Sequence, residues 1–281
     1  MTNITIDFLV DRISKIPALP QVVQKALHII EDPKSSMGDL AKVIKLDQVM
    51  TALILRWVNS GYYSLSHKVI SIEQAIALLG QRTIQNLVLS ASVAQFMSQP
   101  VPGYELEKGD LWKRSVGMAA GARLLTESYG TDVAEQAYYA GLLCDIGKLA
   151  YNFLIKSLPA DQLVPTNMPF DQIETHIFGY DHADVGAEIA KRWNLADHLV
   201  EIIRHHHDPS LVSAEWRVPA YAVHAADAIL MTFGIGVGLD SLQYQLDPKA
   251  IEMFHLDVDQ LDMIYDRISP MIEEANRFLA G

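Results

Sequence analysis

Apolar residues recur every three or four positions along almost the whole chain, and no segment alternates in the manner of a half-buried strand. That period commits the backbone to helices and excludes a sheet as the organising element. "QVVQKALHII" sets Val23, Ala26, Leu27 and Ile30 on one face. "SSMGDLAKVI" pairs Ser36 with Asp39 at capping-box spacing, ahead of Leu40, Val43 and Ile44. "DQVMTALILRWV" aligns Met50, Leu53, Ile54 and Trp57. "SIEQAIALLG" opens with Ser71 and Gln74 in capping register and stops at Gly80, and "TIQNLVLSASVAQF" resumes with Ile84, Leu87, Val88 and Ala91. This gives five helices before residue 98.

The prolines and glycines of "MSQPVPGYELEKG" break the pattern and mark a boundary. Helices then resume in "DLWKRSVGMAAGARLL", "DVAEQAYYAGLLCDIGKLAYNFLI", "HADVGAEIAKRW", "ADHLVEIIRHHH" and "PAYAVHAADAILMTF". "GIGVGLDS" is a glycine-rich loop without the Lys-Ser/Thr pair of a phosphate loop. The tail "DVDQLDMIYDRISPMIEEANRFLA" predicts one more helix, bent or broken at Pro270. The fold class is all-α.

With 281 residues, half of them hydrophobic, the chain can bury a sizeable core. No apolar run approaches the ~20 residues that span a bilayer, so no membrane association is expected. The start "MTNITIDFLVDRISKIP" lacks the features of a signal peptide. Cys144 is the single cysteine, which excludes an internal disulfide and fits a reducing, cytoplasmic compartment. The net charge of −12, with no basic block, argues against direct nucleic-acid binding and suits a basic partner surface.

Against this apolar pattern, a few charged side chains stand out. Asp145 lies in "GLLCDIGKLAY", flanked by Leu142, Leu143 and Ile146. An ionised carboxylate there is costly unless it is paired, hydrogen-bonded or metal-bound. In "ADHLVEIIRHHHDP", His206 and His207 follow Ile202 and Ile203 by one turn each and continue the buried face, while His205 follows Glu201 towards solvent. Asp227 sits four residues after Val223 and three before Leu230, again on an apolar face. His182 opens a helix in "GYDHADVGAEI". Carboxylates suit Mg or Mn, and imidazoles suit Fe, Zn or Mn. A pair of such ions would generate hydroxide for phosphoester hydrolysis. The same residues could instead pair with one another and with backbone groups, and spacing alone does not separate the two readings.

"IPALPQVVQKAL", "LDQVMTALILRWVNS", "SIEQAIALLG", "GLLCDIGKL", "HADVGAEIAKRWNL" and "IIRHHHDP", in that order, resemble the HDOD family of HD-related output domains. The Leu19-Pro20 start, the Asn59-Ser60 pair, the Leu79-Gly80 end and the run from Asp145 to Lys148 carry the resemblance. It implies a two-lobed helical protein, with an N-terminal lobe (residues 1–98), a lobe like the HD phosphohydrolases (99–245) and a C-terminal helical extension (246–281). It also implies bacterial signalling. Against catalytic HD enzymes and their cyclic-di-GMP phosphodiesterase relatives, two histidines are missing. Cys144 stands at the histidine of the His-Asp dyad, and Arg114 at a further ligand histidine. Asp145, His182, His206, His207 and Asp227 match the remaining metal positions, and Lys148 follows the dyad.

Arginine keeps its proton and has no lone pair for a metal, but its fork can satisfy two stranded carboxylates. Arg114 is therefore expected to replace the ion by pairing with Asp145 or Asp227; the alternative is a surface pair with Asp110. Cys144 could ligate zinc or pack as a small hydrophobe. Lys148 could meet a phosphate or serve as a helix-end cation, and His224 could bond Asp227 one turn away. Trp57, Trp112, Trp193 and Trp216 fit core or lobe-interface positions.

The resulting expectation is a cytoplasmic signalling module without catalytic activity, holding no cofactor, joined to signalling protein partners and capable of homodimerising. Its binding surface would lie between the lobes. Two alternatives stand beside it. One is a divergent phosphohydrolase that uses Mn, Fe, Mg or Zn on a nucleotide or cyclic dinucleotide, with Asp145 and Lys148 as catalytic residues. The other is a nucleotide sensor that does not hydrolyse its ligand.

Overall fold

A computed structural model describes residues 6, 21–31, 35–59, 63, 65–156, 168–239 and 245–280. The Leu19-Pro20 motif, Ser60, the side chains of Leu27 and Ile30, and Asp240-Ser241 lie outside the described residues. Thirteen α-helices are present among those described: α1 (Gln21–Glu31), α2 (Met37–Lys45), α3 (Gln48–Val58), α4 (Ile72–Met97), α5 (Asp110–Thr126), α6 (Thr131–Leu143), α7 (Lys148–Ile155), α8 (Phe170–Phe178), α9 (His182–Arg192), α10 (Asp197–Arg204), α11 (Arg217–Thr232), α12 (Pro248–Phe254) and α13 (Val258–Ala280). The fold is all-α, and the only extended pairing among the described residues is a single bridge between Val101 and Leu106. No described helix is long and apolar enough to cross a membrane.

The helix ends follow the local chemistry of the chain. Ser36 and Asp39 form the capping box of α2, with each side chain bonded to the other residue's backbone amide. Asp47 caps α3 through the Met50 amide at 2.9 Å, and Ser71 caps α4 through the Gln74 amide at 3.2 Å. Gly80 interrupts α4 with φ +83°, a conformation a side chain resists, so the helix turns there and continues. Of the two outcomes expected at Pro270, a bend or a break, the break does not occur: α13 continues through the proline. Pro270 lies on the exposed face, where water can satisfy the carbonyl that loses its backbone donor.

From Ile84 to Ala94, α4 is buried on every side, with α1, α2 and α3 packed around it. Its polar residues find partners inside: Asn86 Nδ2 donates to Glu135 Oε2 at 2.6 Å, and Ser90 bonds Tyr138 at 3.0 Å. One apolar cluster runs from Val23 through Trp57, Trp112 and Tyr151 to Met271 and Ala275. Trp57 and Trp112 meet edge to face, with centroids 5.8 Å apart. A second cluster gathers Met118, Cys144, Ile202, half of α11, and Ile264, Ile268 and Ile272 of α13. Helix α5 touches α6, α11 and α13 and lies between the two clusters, so Arg114 and Ser115 on it are cut off from solvent.

Candidate functional site: a buried cluster of carboxylates, cations and imidazoles

The turn from α6 into α7 lays its backbone directly on the first turn of α9. A Cβ at Gly147 would overlap the His182 carbonyl, so only glycine permits this approach. The approach places Asp145 and Lys148 beside His182, while α5 contributes Arg114 and α11 contributes Asp227. All five side chains are at most 1% exposed.

Arg114 spans the two aspartates. Its Nε donates to Asp145 Oδ2 at 2.9 Å, and its Nη2 donates to Asp227 Oδ1 at 2.5 Å. Its Nη1 reaches the Gly236 carbonyl at 3.4 Å, which gives the glycine-rich loop a role in closing the site. Asp110 is engaged by Lys113 at 2.7 Å. Lys148, the first residue of α7, places Nζ 2.8 Å from Asp145 Oδ1. The helix dipole opposes a cation at that end, so the carboxylate, rather than the dipole of the helix-end reading, holds it. Burial would raise the Asp145 carboxyl, but Lys148, Arg114 and the His182 hydrogen bond together hold it well below the usual carboxylate range.

The imidazoles meet on the other side of Asp145. His182 Nδ1 lies 2.7 Å from Glu174 Oε2, and its Nε2 lies 3.0 Å from His207 Nε2 and 3.4 Å from Asp145 Oδ1. Glu174 also accepts from the His182 amide at 2.8 Å and from the Tyr104 hydroxyl. Burial opposes the imidazolium, yet the Glu174 charge and the hydrogen bonds to Asp145 and Glu174 raise His182 to about 10. His206 behaves oppositely: burial, followed by the charge of His182, lowers it to about 3. Burial, then His206 and His182, lowers His207 as well. His206 turns Nδ1 to the Ile203 carbonyl at 2.8 Å, and its buried Nε2 has no hydrogen-bond partner among the described residues.

Cys144 is fully buried. Its sulfur donates to the Gly141 carbonyl at 3.3 Å and lies 3.8 Å from Met118 Sδ. Burial, then the charges of Asp145 and Asp227, push the thiol up, so it is neither a ready thiolate ligand nor a nucleophile. His224 places its ring nitrogens on the His206 carbonyl at 3.0 Å and the Asp247 amide at 3.1 Å.

Sequence reasoning missed Glu174 and Tyr104, both buried and both central to His182. For Glu174 the signal was present in "FDQIETHIF", where it follows Phe170 and precedes Phe178 by one turn each. Tyr104 sits in the irregular stretch after α4, where no periodicity marks an inward side chain.

Two chemistries can be weighed on this geometry. A dinuclear centre does not fit, because the Arg114 guanidinium already bridges Asp145 and Asp227. A single ion is a better match to the imidazoles. Ligand nitrogens of His182, His206 and His207 all lie within 4.8 Å of one another, and two of these rings are oriented through their outer nitrogens by Glu174 and the Ile203 carbonyl. Counting charges, Arg114, Lys148 and protonated His182 face Asp145, Asp227 and Glu174, three against three. An added dication would leave an excess of positive charge even after displacing the His182 proton.

The match to the HDOD domain covers residues 16–209, and the chain belongs to the HDOD family. An HDOD domain protein of unknown function from Geobacter sulfurreducens is 25% identical, with a TM-score of 0.76 over 97% of this chain and 96% of that one. A Marinobacter aquaeolei VT8 protein, provisionally named for signal transduction, shares the fold at 21% identity and a TM-score of 0.74, covering 97% of this chain and 60% of that one. An uncharacterized protein of Treponema pallidum (strain Nichols) is 27% identical over 205 residues, which are 71% of this chain and 39% of that protein. The chain therefore spans well under half the length of this curated relative.

Proposed function

We propose that this HDOD protein is a signalling module whose phosphohydrolase-like centre has become a metal-free ionic core. The observation that carries the reading is the Arg114 guanidinium between Asp145 and Asp227. It supplies at a fixed place the positive charge that a bridging ion would supply, while Lys148 takes the other oxygen of Asp145. A protein of this kind acts by presenting its surface: cytoplasmic signalling partners, a basic partner face or a second copy of the chain fit that role. The division into residues 1–98, 99–245 and 246–281 is part of the same proposal, with the N-terminal unit and the tail as its interaction elements.

Metal content and turnover test it together. Purified protein is expected to carry less than stoichiometric Mn, Fe or Zn and to leave generic phosphodiesters and phosphomonoesters intact. Stoichiometric metal with turnover lost in Asp145→Ala would overturn it.

A second reading is favoured by the three converging imidazoles. In that reading His182, His206 and His207 hold one ion, which could act as a Lewis acid towards a phosphate, with Lys148 holding the Asp145 carboxylate in place. Replacing Arg114 and Cys144 together by histidine separates the readings. It should raise metal affinity sharply if the arginine excludes the ion, and leave it unchanged if the imidazole trio alone sets the affinity.

A further inference from the structure

The end of α5, the turn Glu127–Tyr129, α12 and α13 enclose a groove of about 620 Å³ on the surface, away from the ionic core. Leu125, Tyr129, Met253, Phe254 and Met263 give it an apolar lining. Its walls are already tied together: the Tyr129 hydroxyl donates to the Met253 carbonyl at 3.2 Å, and the Tyr129 ring meets Phe254 edge to face with centroids 6.1 Å apart. Helix α13 buries a stripe of Ile264, Ile268, Met271 and Ile272, so its hold on the core does not need Met263. Met263 is nevertheless 52% exposed, and Tyr129 44%. Single exposed apolar side chains are ordinary, but large ones gathered in one preformed groove have the pattern of a binding surface.

The charges around the groove select what it fits. Asp259, Asp262 and Asp266 are exposed at one-turn intervals along α13; Asp266 lines the groove, and Asp259 and Asp262 flank Met263. Arg267 is the one lysine or arginine in the lining, and Glu127 pairs with it at 3.4 Å. The rim is therefore negative. A second copy of this chain would bring the same carboxylates to a two-fold contact, and its net charge of −12 opposes an approach by its other faces. A cationic segment is complementary. An extended peptide would bury unpaired amides against the apolar lining, since the described residues offer no strand edge there; the one bridge, Val101–Leu106, lies elsewhere. A helix pairs its own amides and can lie in such a groove.

We infer that this groove docks a basic amphipathic helix of a partner protein, with apolar anchors on Tyr129, Met253, Phe254 and Met263 and Lys or Arg side chains on Asp262 and Asp266. The two methionines suit this role, because an unbranched thioether side chain repacks against anchors of different shape. The inference rests on the reading of the chain as a module that acts through partners, and names the chemistry of one such partner. The groove shares no side chain with the ionic core, so metal content and turnover decide that reading and peptide binding decides this one.

The probe is a labelled peptide of about 18 residues, with leucines on one helical face and lysines elsewhere. Fluorescence anisotropy with the full chain should show saturable binding that weakens as salt rises. A scrambled peptide, with the same charge but no apolar stripe, should bind about tenfold more weakly or worse. Met263→Gln keeps a good helix former at an exposed place and should weaken the amphipathic peptide by about tenfold. Asp262→Lys with Asp266→Lys should weaken it by about as much, because each reversal trades an attraction for a repulsion, and serves if Met263→Gln does not fold. Asp132→Lys, at an 80% exposed side chain outside the groove, should leave the affinity unchanged. Absence of saturable binding, equal binding of the scrambled peptide, unchanged affinity in either groove variant, or an equal loss in Asp132→Lys would each overturn the inference. A dimer in sedimentation that Met263→Gln dissolves would overturn it as well, by giving the groove to a second copy.

Discussion

Asp145 stands between two groups of side chains that solve the problem of burial differently. On one side, Arg114 and Lys148 keep permanent charges and hold them against carboxylates at 2.5 to 2.9 Å. On the other, His206 and His207 give up their charge, with His206 lowered to about 3, and lie with ring centroids 3.9 Å apart and planes tilted by 42°. His182 belongs to the second group by chemistry and to the first by behaviour, because Glu174 supplies the counter-charge that the other two histidines lack. Burial has no single outcome for ionisable groups. What decides is whether a fixed opposite charge lies within hydrogen-bond distance. The cationic side should therefore fail catastrophically when one partner is removed, and the imidazole side gently.

The largest effect is expected from Arg114→Met. It removes the guanidinium that Asp145 and Asp227 share, and breaking such a buried pair costs ~3–5 kcal/mol. Urea unfolding at neutral pH measures it. Adding Asp227→Asn to the same chain should return much of the loss, because it leaves Lys148 and His182 against Asp145 and Glu174, two charges against two. If the single variant loses under ~1 kcal/mol, the arginine is not the counter-ion of that half.

The next effect is a pH dependence that isolates His182. Its folded value of about 10 lies above its ordinary 6.5, so the folded protein holds a proton that the unfolded chain releases in between. The stability this contributes is complete below 6.5 and is lost as pH rises towards 10, at up to ~1.4 kcal/mol per pH unit. His182→Gln removes the contribution. The gap in unfolding free energy between wild type and variant should therefore shrink steadily over that interval. The alkaline side is the cleaner one to measure, because burial also raises Asp181 to about 6, and its titration overlaps that of the lowered histidines in acid. A gap that stays constant with pH would mean that His182 is neutral when folded, and the division between the two halves would then fall elsewhere.

These contrasts also show what a linear chain can and cannot reveal. Helices were legible because their period is local: the caps at Ser36 and Ser71 and the break at Gly80 each depend on residues within one turn. The burial of Asp145 and Asp227 was legible for the same reason, since each interrupts an apolar face. What was not legible is pairing. Arg114 meets partners 31 and 113 positions away, and only the packing of α5 against α6 and α11 decides between them and the adjacent Asp110. Tyr104 reaches Glu174 across 70 residues from a stretch with no period at all. For Lys148 the sequence left a phosphate contact and a helix-end cation open, and its pairing with Asp145 at 2.8 Å appears only once the start of α7 is seen in place.

The smallest effect should come from His206→Leu. The change removes one hydrogen bond, to the Ile203 carbonyl, but also a buried nitrogen without a partner among the described residues, at comparable volume. The two terms oppose each other, so stability should change by no more than ~1 kcal/mol, a fraction of the Arg114→Met loss. The variant also probes the imidazole side for an ion. Added zinc should leave the melting temperature of wild type and variant alike if that side is simply packed neutral rings. If zinc raises the wild-type value and not that of His206→Leu, the three histidines form a ligand set, and their low charge is the resting state of a metal site rather than the end state of burial. A loss of ~3 kcal/mol or more in His206→Leu would erase the contrast between the two halves, because it would show that a neutral ring in this cavity is held as firmly as the paired charges beside it.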